Sequence, residues 1–163
     1  MSTQDNLQAA FAGESQANRK YLAFAKKADE EGYSQIAKLF RAAAEAETVH
    51  ALNHLAVMGG VSSTAENLKA AIEGETAEFT NMYPGFIEQA NSEGKDDAKI
   101  SFYGANEVEK IHAALYQKAL DNLGNNGEVD YYVCQVCGNT VEGQAPDSCP
   151  ICGQPQSVFK LIS

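Results

Sequence analysis

The sequence predicts a mainly α-helical protein: a four-helix bundle followed by a small β module held together by metal. Three observations predict it. Long stretches with apolar residues at helical spacing are separated by Gly32, Gly59-Gly60, Gly94 and Gly124. The pattern Glu-x-x-His occurs twice, at Glu47–His50 and at Glu109–His112. All four cysteines lie in the last 30 residues, as two Cys-x-x-Cys pairs.

The first helix is expected from Thr3 or Asp5 to Glu31, capped by Asp5 or the residues before it and stopped at Gly32. Leu7, Ala10, Phe11, Leu22, Phe24 and Ala25 follow its apolar spacing. Ser34 is expected to cap a second helix running to Met58, with Ile36, Leu39, Phe40, Ala43, Ala46 and Leu55 as the buried stripe. Ser63-Thr64-Ala65-Glu66 has the pattern of a capping box and opens a third helix, to about Asn91. Pro84 falls inside that helix and is expected to bend it. Asp96 and Asp97 can cap a fourth helix that ends near Leu123. Gly124-Asn125-Asn126-Gly127 reads as a linker, and Tyr131–Val133 and Val158–Ile162 as short strands. The expected division is a bundle over residues 1–124, a linker over 125–130 and a module over 131–163.

With 44% apolar residues the chain can build a core, and its net charge of −10 argues against nucleic acid and anionic membrane as partners. The polar N-terminal residues show no secretory signal and no stretch is long and apolar enough to span a membrane, so a cytoplasmic protein is expected. In that compartment the cysteines are metal ligands rather than disulfides.

On a helix, residues i and i+3 share a face, so each Glu-x-x-His aims a carboxylate and an imidazole at one point. Two such helices, plus a Glu from each of two others, make a di-iron or di-manganese cage in a bundle. Glu14 on the first helix and Glu75 on the third supply those carboxylates; Glu47, Glu109, His50 and His112 complete the set. A lone Glu-x-x-His is an ordinary surface pair, but two on alternate helices with Glu14 and Glu75 in place are not. Without metal, such a cluster would be destabilising or partly protonated. Glu78, one turn after Glu75, is a candidate seventh ligand able to trade with an imidazole as the oxidation state changes. His54 falls outside the ligand set. Tyr21 and Tyr83 can reach the cage with a hydroxyl or pack in the core; spacing does not separate the two roles. Cys134, Cys137, Cys149 and Cys152 form a four-thiolate pattern that by spacing takes zinc or a single iron; a redox-capable bundle beside it favours iron.

The order of these motifs resembles rubrerythrin, a ferritin-like four-helix bundle followed by a rubredoxin-like domain. The resemblance is carried by Gly13-Glu14-Ser15-Gln16-Ala17, Glu47-x-x-His50, Gly74-Glu75-x-x-Glu78 with Met82-Tyr83-Pro84, Glu109-x-x-His112 and the Cys-Pro-x-Cys-Gly knuckle. It implies that Glu14, Glu47, His50, Glu75, Glu78, Glu109 and His112 bind two irons and that the four cysteines bind one. It implies that Glu78 and His50 exchange at one iron, and that Tyr21 and Tyr83 stand beside the ligands. It also implies reduction of hydrogen peroxide to water, with electrons arriving through the cysteine-bound iron from rubredoxin or an NAD(P)H-dependent reductase. The rival expectation is a ferritin-like ferroxidase that handles iron.

The joint between the second and third helices is short. In a ferritin-like arrangement these helices run parallel. Glu47 to Met58 and Ala65 to Glu75 together span roughly 30 Å of helix axis. The joint from Met58 to Ala65 reaches at most about 25 Å. A domain-swapped homodimer is therefore expected, each cage taking Glu14, Glu47 and His50 from one chain and Glu75, Glu78, Glu109 and His112 from the other.

Overall fold

The computed structural model describes residues 2–162, which fall into two compact units divided between Ser62 and Ser63. The first unit is a pair of packed helices, α1 (Thr3–Glu30) and α2 (Ser34–Val57). The N-cap of α1 is Ser2, which accepts from the Asp5 backbone N–H while the Asp5 carboxylate accepts from the Ser2 N–H. The α1–α2 turn closes with Tyr33 N–H donating to Ala28 O at 2.8 Å. Ser34 is already helical; the cap position falls on Tyr33, whose side chain makes no capping bond. Small residues fill the seam: Ala25, Ala28, Ala37, Ala44 and Ala51 are buried. Asn18 crosses it, donating to Ala44 O at 2.7 Å and to Thr48 Oγ1 at 2.8 Å.

The expected buried stripe on α2 is only partly buried. Ile36 is 47% and Leu39 63% exposed. Helical periodicity marks which face is apolar, and within one chain the alanine seam occupies the contact. Leu22, Phe24, Val49 and Leu52 stay exposed as well.

The second unit holds α3 (Thr64–Ala77), a π-helical turn (Glu78–Met82), α4 (Tyr83–Ser92) and α5 (Asp96–Asp121), with both α3 and α4 packed on α5. Ser63 and Glu66 form the capping box that the sequence announces. The expected single bent helix is instead interrupted: Tyr83 N–H donates to Glu78 O, five residues back. Pro84 then sits in the first turn of α4, where its missing N–H costs little. At α5, Asp96 and Asp97 lie in the first turn, where they complement the helix dipole, and Lys95 takes the cap position.

Strands β1 (Tyr131–Cys134), β2 (Thr140–Glu142) and β3 (Phe159–Ile162) form an antiparallel sheet in the order β2-β1-β3. Strand β2 was not foreseen; at three residues it exists only through its pairing of Val133 with Thr140 and Tyr131 with Glu142. The sheet module lies along one face of α5. Gly104 faces Cys137, Val108 faces Gly138, His112 bonds Thr140, and Lys118 pairs with Glu142 at 2.5 Å. These α5 positions follow helical spacing, so the module reads a single stripe of the helix.

The two helical units echo each other. Tyr21, Phe24 and Phe40 form a ring triad with centroid separations of 6.3, 6.2 and 5.5 Å. Tyr83, Phe86 and Phe102 form another, at 6.2, 6.3 and 5.5 Å. Tyr21 to Tyr83, Phe40 to Phe102, Glu47 to Glu109 and His50 to His112 are each 62 positions apart, whereas Glu14 to Glu75 is 61. The one-residue difference falls in the π turn.

Candidate metal centres

Each unit brings one acidic–imidazole cluster together. In the first, one ligand atom each from Glu14, Glu47 and His50 lie within 4.8 Å of one another. His50 Nδ1 is 2.9 Å from Glu47 Oε2 and 4.0 Å from Glu14 Oε1. Asn18, four residues after Glu14, bonds to Thr48, next to Glu47, and so locks the register of α1 on α2 at the cluster.

In the second, Glu75, Glu109 and His112 offer ligand atoms within 4.8 Å of one another. His112 Nδ1 is 2.8 Å from Glu109 Oε2 and 3.7 Å from Glu75 Oε1. Burial, then the hydrogen bond that the protonated Glu75 carboxyl donates to Glu109 and the charges of Glu109 and Glu78, push the Glu75 carboxyl from 4.5 up to about 7. The cluster therefore keeps a proton that a metal ion would displace.

Glu78 is outside that three-residue group but its charge is felt in it: it raises Glu75, and its own carboxyl is raised by burial and by Glu109 and lowered by His112. The Tyr83 hydroxyl is raised by burial and then by the charges of Glu109, Glu78 and Glu75. Tyr21 packs on Phe24 and Phe40 in the first unit. The His54 carbonyl accepts from the Met58 N–H at the end of α2.

The donor geometry fits metal. Adjacent ligands on an octahedral ion with bonds of about 2.1 Å lie about 3 Å apart. The His–Glu separations of 2.8 and 2.9 Å match that spacing. Hard carboxylate oxygen with imidazole nitrogen is the donor set that iron and manganese take.

The four cysteines form the third centre, their sulfurs within 4.8 Å of one another. Cys134 Sγ is 3.7 Å from Cys152 Sγ, and Cys137 Sγ 3.6 Å from Cys149 Sγ. A tetrahedral ion with sulfur bonds of about 2.3 Å requires edges of about 3.8 Å. Each knuckle turns on a glycine with positive φ, Gly138 at 83° and Gly153 at 72°. Their N–H groups donate back to Cys134 O and Cys149 O. Burial opposes ionisation of Cys149, but the Cys152 and Ile151 N–H groups outweigh it and hold the thiol down to about 7. Burial pushes the Cys137 thiol up. Buried Asn139, which carries no metal-ligand signature in the sequence, donates to Cys149 Sγ at 3.6 Å. Nothing in its spacing sets it apart from a turn residue.

A helical scaffold with oxygen–nitrogen clusters and a soft four-sulfur module defines a class, the two-part non-haem metalloproteins. Comparison with known proteins narrows it. The family model Rubrerythrin matches residues 5–120, and Rubrerythrin, rubredoxin-like domain, matches 132–160. Rubrerythrin-2 of Clostridium acetobutylicum is 35% identical over 177 residues, covering 98% of this chain and 96% of its own. Nigerythrin of Nitratidesulfovibrio vulgaris is 37% identical over 172 residues, covering 97% and 85%. The solved structure of partially reduced nigerythrin superposes with a TM-score of 0.61 at 36% identity, covering 99% of this chain and 87% of that one. The chain belongs to the rubrerythrin family, and its fold is ferritin-like with a C-terminal rubredoxin-like module.

A pH dependence follows from Glu75. Its folded value of about 7 lies above its ordinary 4.5, so its contribution to stability is fully present below pH 4.5 and is lost as pH rises through 7. Metal-free protein should melt at progressively lower temperature from pH 5 to about 7.5. Glu75→Gln should flatten that slope, as thermal unfolding followed by circular dichroism would record.

Proposed function

We propose that the protein is a non-haem di-iron peroxidase that reduces hydrogen peroxide to water in the cytoplasm. One observation carries this reading: α5 holds Glu109 and His112 and, on the same helix, seats the four-cysteine module. A storage protein has no need of such a module beside its clusters. The solved nigerythrin states described as mixed valent, partially reduced and all ferrous support redox cycling in a relative.

In this reading Glu14, Glu47, His50, Glu75, Glu78, Glu109 and His112 hold two irons, and Cys134, Cys137, Cys149 and Cys152 hold a third. Iron at the clusters would supply the electron pair that splits the O–O bond. Reduction to two waters also consumes two protons. Glu75, pushed up to about 7, can carry a proton near neutral pH; Glu78 is shifted in the same direction, and the Tyr83 hydroxyl feels the charge of both. Electrons enter at the cysteine module from a redox partner protein such as rubredoxin or an NAD(P)H-dependent reductase.

We also propose that each complete site is shared between two copies of the chain. Helix α2 ends at Val57 and α3 begins at Thr64, a joint too short for the roughly 30 Å return that parallel ferritin-like helices require. The exposed Leu22, Phe24, Leu39, Val49 and Leu52 supply an apolar face for a second chain to cover.

The activity is tested by reducing the iron-loaded protein anaerobically and mixing it with peroxide or O₂ in a stopped-flow instrument. Oxidation by peroxide should be much the faster. Preference for O₂, with iron deposition, would instead identify a ferroxidase.

A further inference from the structure

We propose that Thr140, on strand β2 of the cysteine module, is a positioning residue for His112. It would fix the imidazole as the tautomer that carries hydrogen on Nε2, and so reserve Nδ1 for metal. The inference rests on His112 being a ligand of the carboxylate cluster.

The argument is one of hydrogen count. The Thr140 hydroxyl makes two contacts: Oγ1 lies 3.1 Å from Gly138 O and 2.9 Å from His112 Nε2. A hydroxyl has one hydrogen to give. The Gly138 carbonyl has none, so it must receive that hydrogen. The bond to the imidazole can then form only if Nε2 donates. The other ring nitrogen, Nδ1, points at Glu109 Oε2 and Glu75 Oε1. Any proton cleared to make room for metal must therefore leave from Nδ1, because Nε2–H is already committed.

The hydroxyl is itself held in place. Thr140 pairs with Val133 across the β1–β2 ladder, and Glu142, two residues on, pairs with Lys118 of α5. Val108, one turn before His112 on α5, meets Gly138. The module thus presents the oxygen to His112 from a fixed surface. His50, the counterpart in the first unit, is 54% exposed, whereas His112 is 27% exposed. Ligand imidazoles commonly use the second ring nitrogen to fix ring orientation and basicity. Here that partner is supplied by the electron-carrying module rather than by the helices.

The test uses the full chain with one equivalent of zinc, which the thiolates take first. Nitrogen-15 NMR should show His112 with a proton on Nε2 and, in the neutral ring, a pyridine-type Nδ1. Thr140→Val should abolish that preference and weaken ferrous uptake at the clusters by about 10- to 100-fold, measured by anaerobic dialysis. Thr140→Ser should restore both. A hydrogen on Nδ1 of the neutral ring in the unsubstituted protein overturns the proposal, whatever the variants do. So does a Thr140→Val protein with unchanged ring shifts and iron affinity. The NMR arm needs neither iron nor peroxide. If peroxide turnover fails while the tautomer holds, the peroxidase reading alone falls.

Discussion

Glu47→Ala and Glu109→Ala should each abolish peroxide reduction, yet mixing the two dead variants should bring activity back. Each substitution deletes the carboxylate nearest a ligand imidazole, 2.9 Å from His50 and 2.8 Å from His112. The loss should exceed the roughly 10- to 100-fold typical of a merely supporting residue. In a swapped dimer, a heterodimer of the two variants has one site with both defects and one with neither. Random reassortment after joint unfolding and refolding makes half the dimers mixed. About a quarter of the native site count should therefore return. Steady-state peroxide consumption, with iron content measured alongside, reads the effect. Persistent inactivity of the folded mixture would show that each site is built within one chain.

Cys149→Ala should unfold the C-terminal module while leaving the helices intact. Cys149 is 2% exposed, and its sulfur accepts from Asn139 and faces Cys137. The module has three strands of four, three and four residues, too little to bury a core of its own. Structural metal in such modules contributes about 10–16 kcal/mol of apparent binding energy, and that energy is folding energy. Amide signals from Tyr131 to Ile162 should collapse toward random-coil positions, and protease should cut between Asn122 and Asp130. Helical circular dichroism should change little. Chelation of the metal from the unsubstituted protein should give the same pattern reversibly.

Much of this was legible because it is local. Ser63 and Glu66 cap within four residues, and each Cys-x-x-Cys writes its own turn. Glu-x-x-His needs only helical geometry to converge. What escaped notice depends on the rest of the molecule. The π turn was hidden because Pro84 inside a helical pattern reads as a kink, while the register shift lies in the bond from the Tyr83 N–H to Glu78 O. Ile36 and Leu39 were assigned to the core because periodicity identifies an apolar face without saying what covers it. Thr140 and Asn139 carry no sequence signal; Thr140 gains its role only once β2 lies against α5, and Asn139 only once its amide reaches Cys149 Sγ.

The π turn also breaks an equivalence. Were the two helical halves strict copies, both metal positions would have matching surroundings and similar affinities for electrons. The extra residue accompanies Glu78 in the second half, and the position matching it in the first half is Ala17. An inserted amino acid thereby leaves the two otherwise twinned helical pairs with unlike side chains at matching positions, a carboxylate in one half and a methyl group in the other.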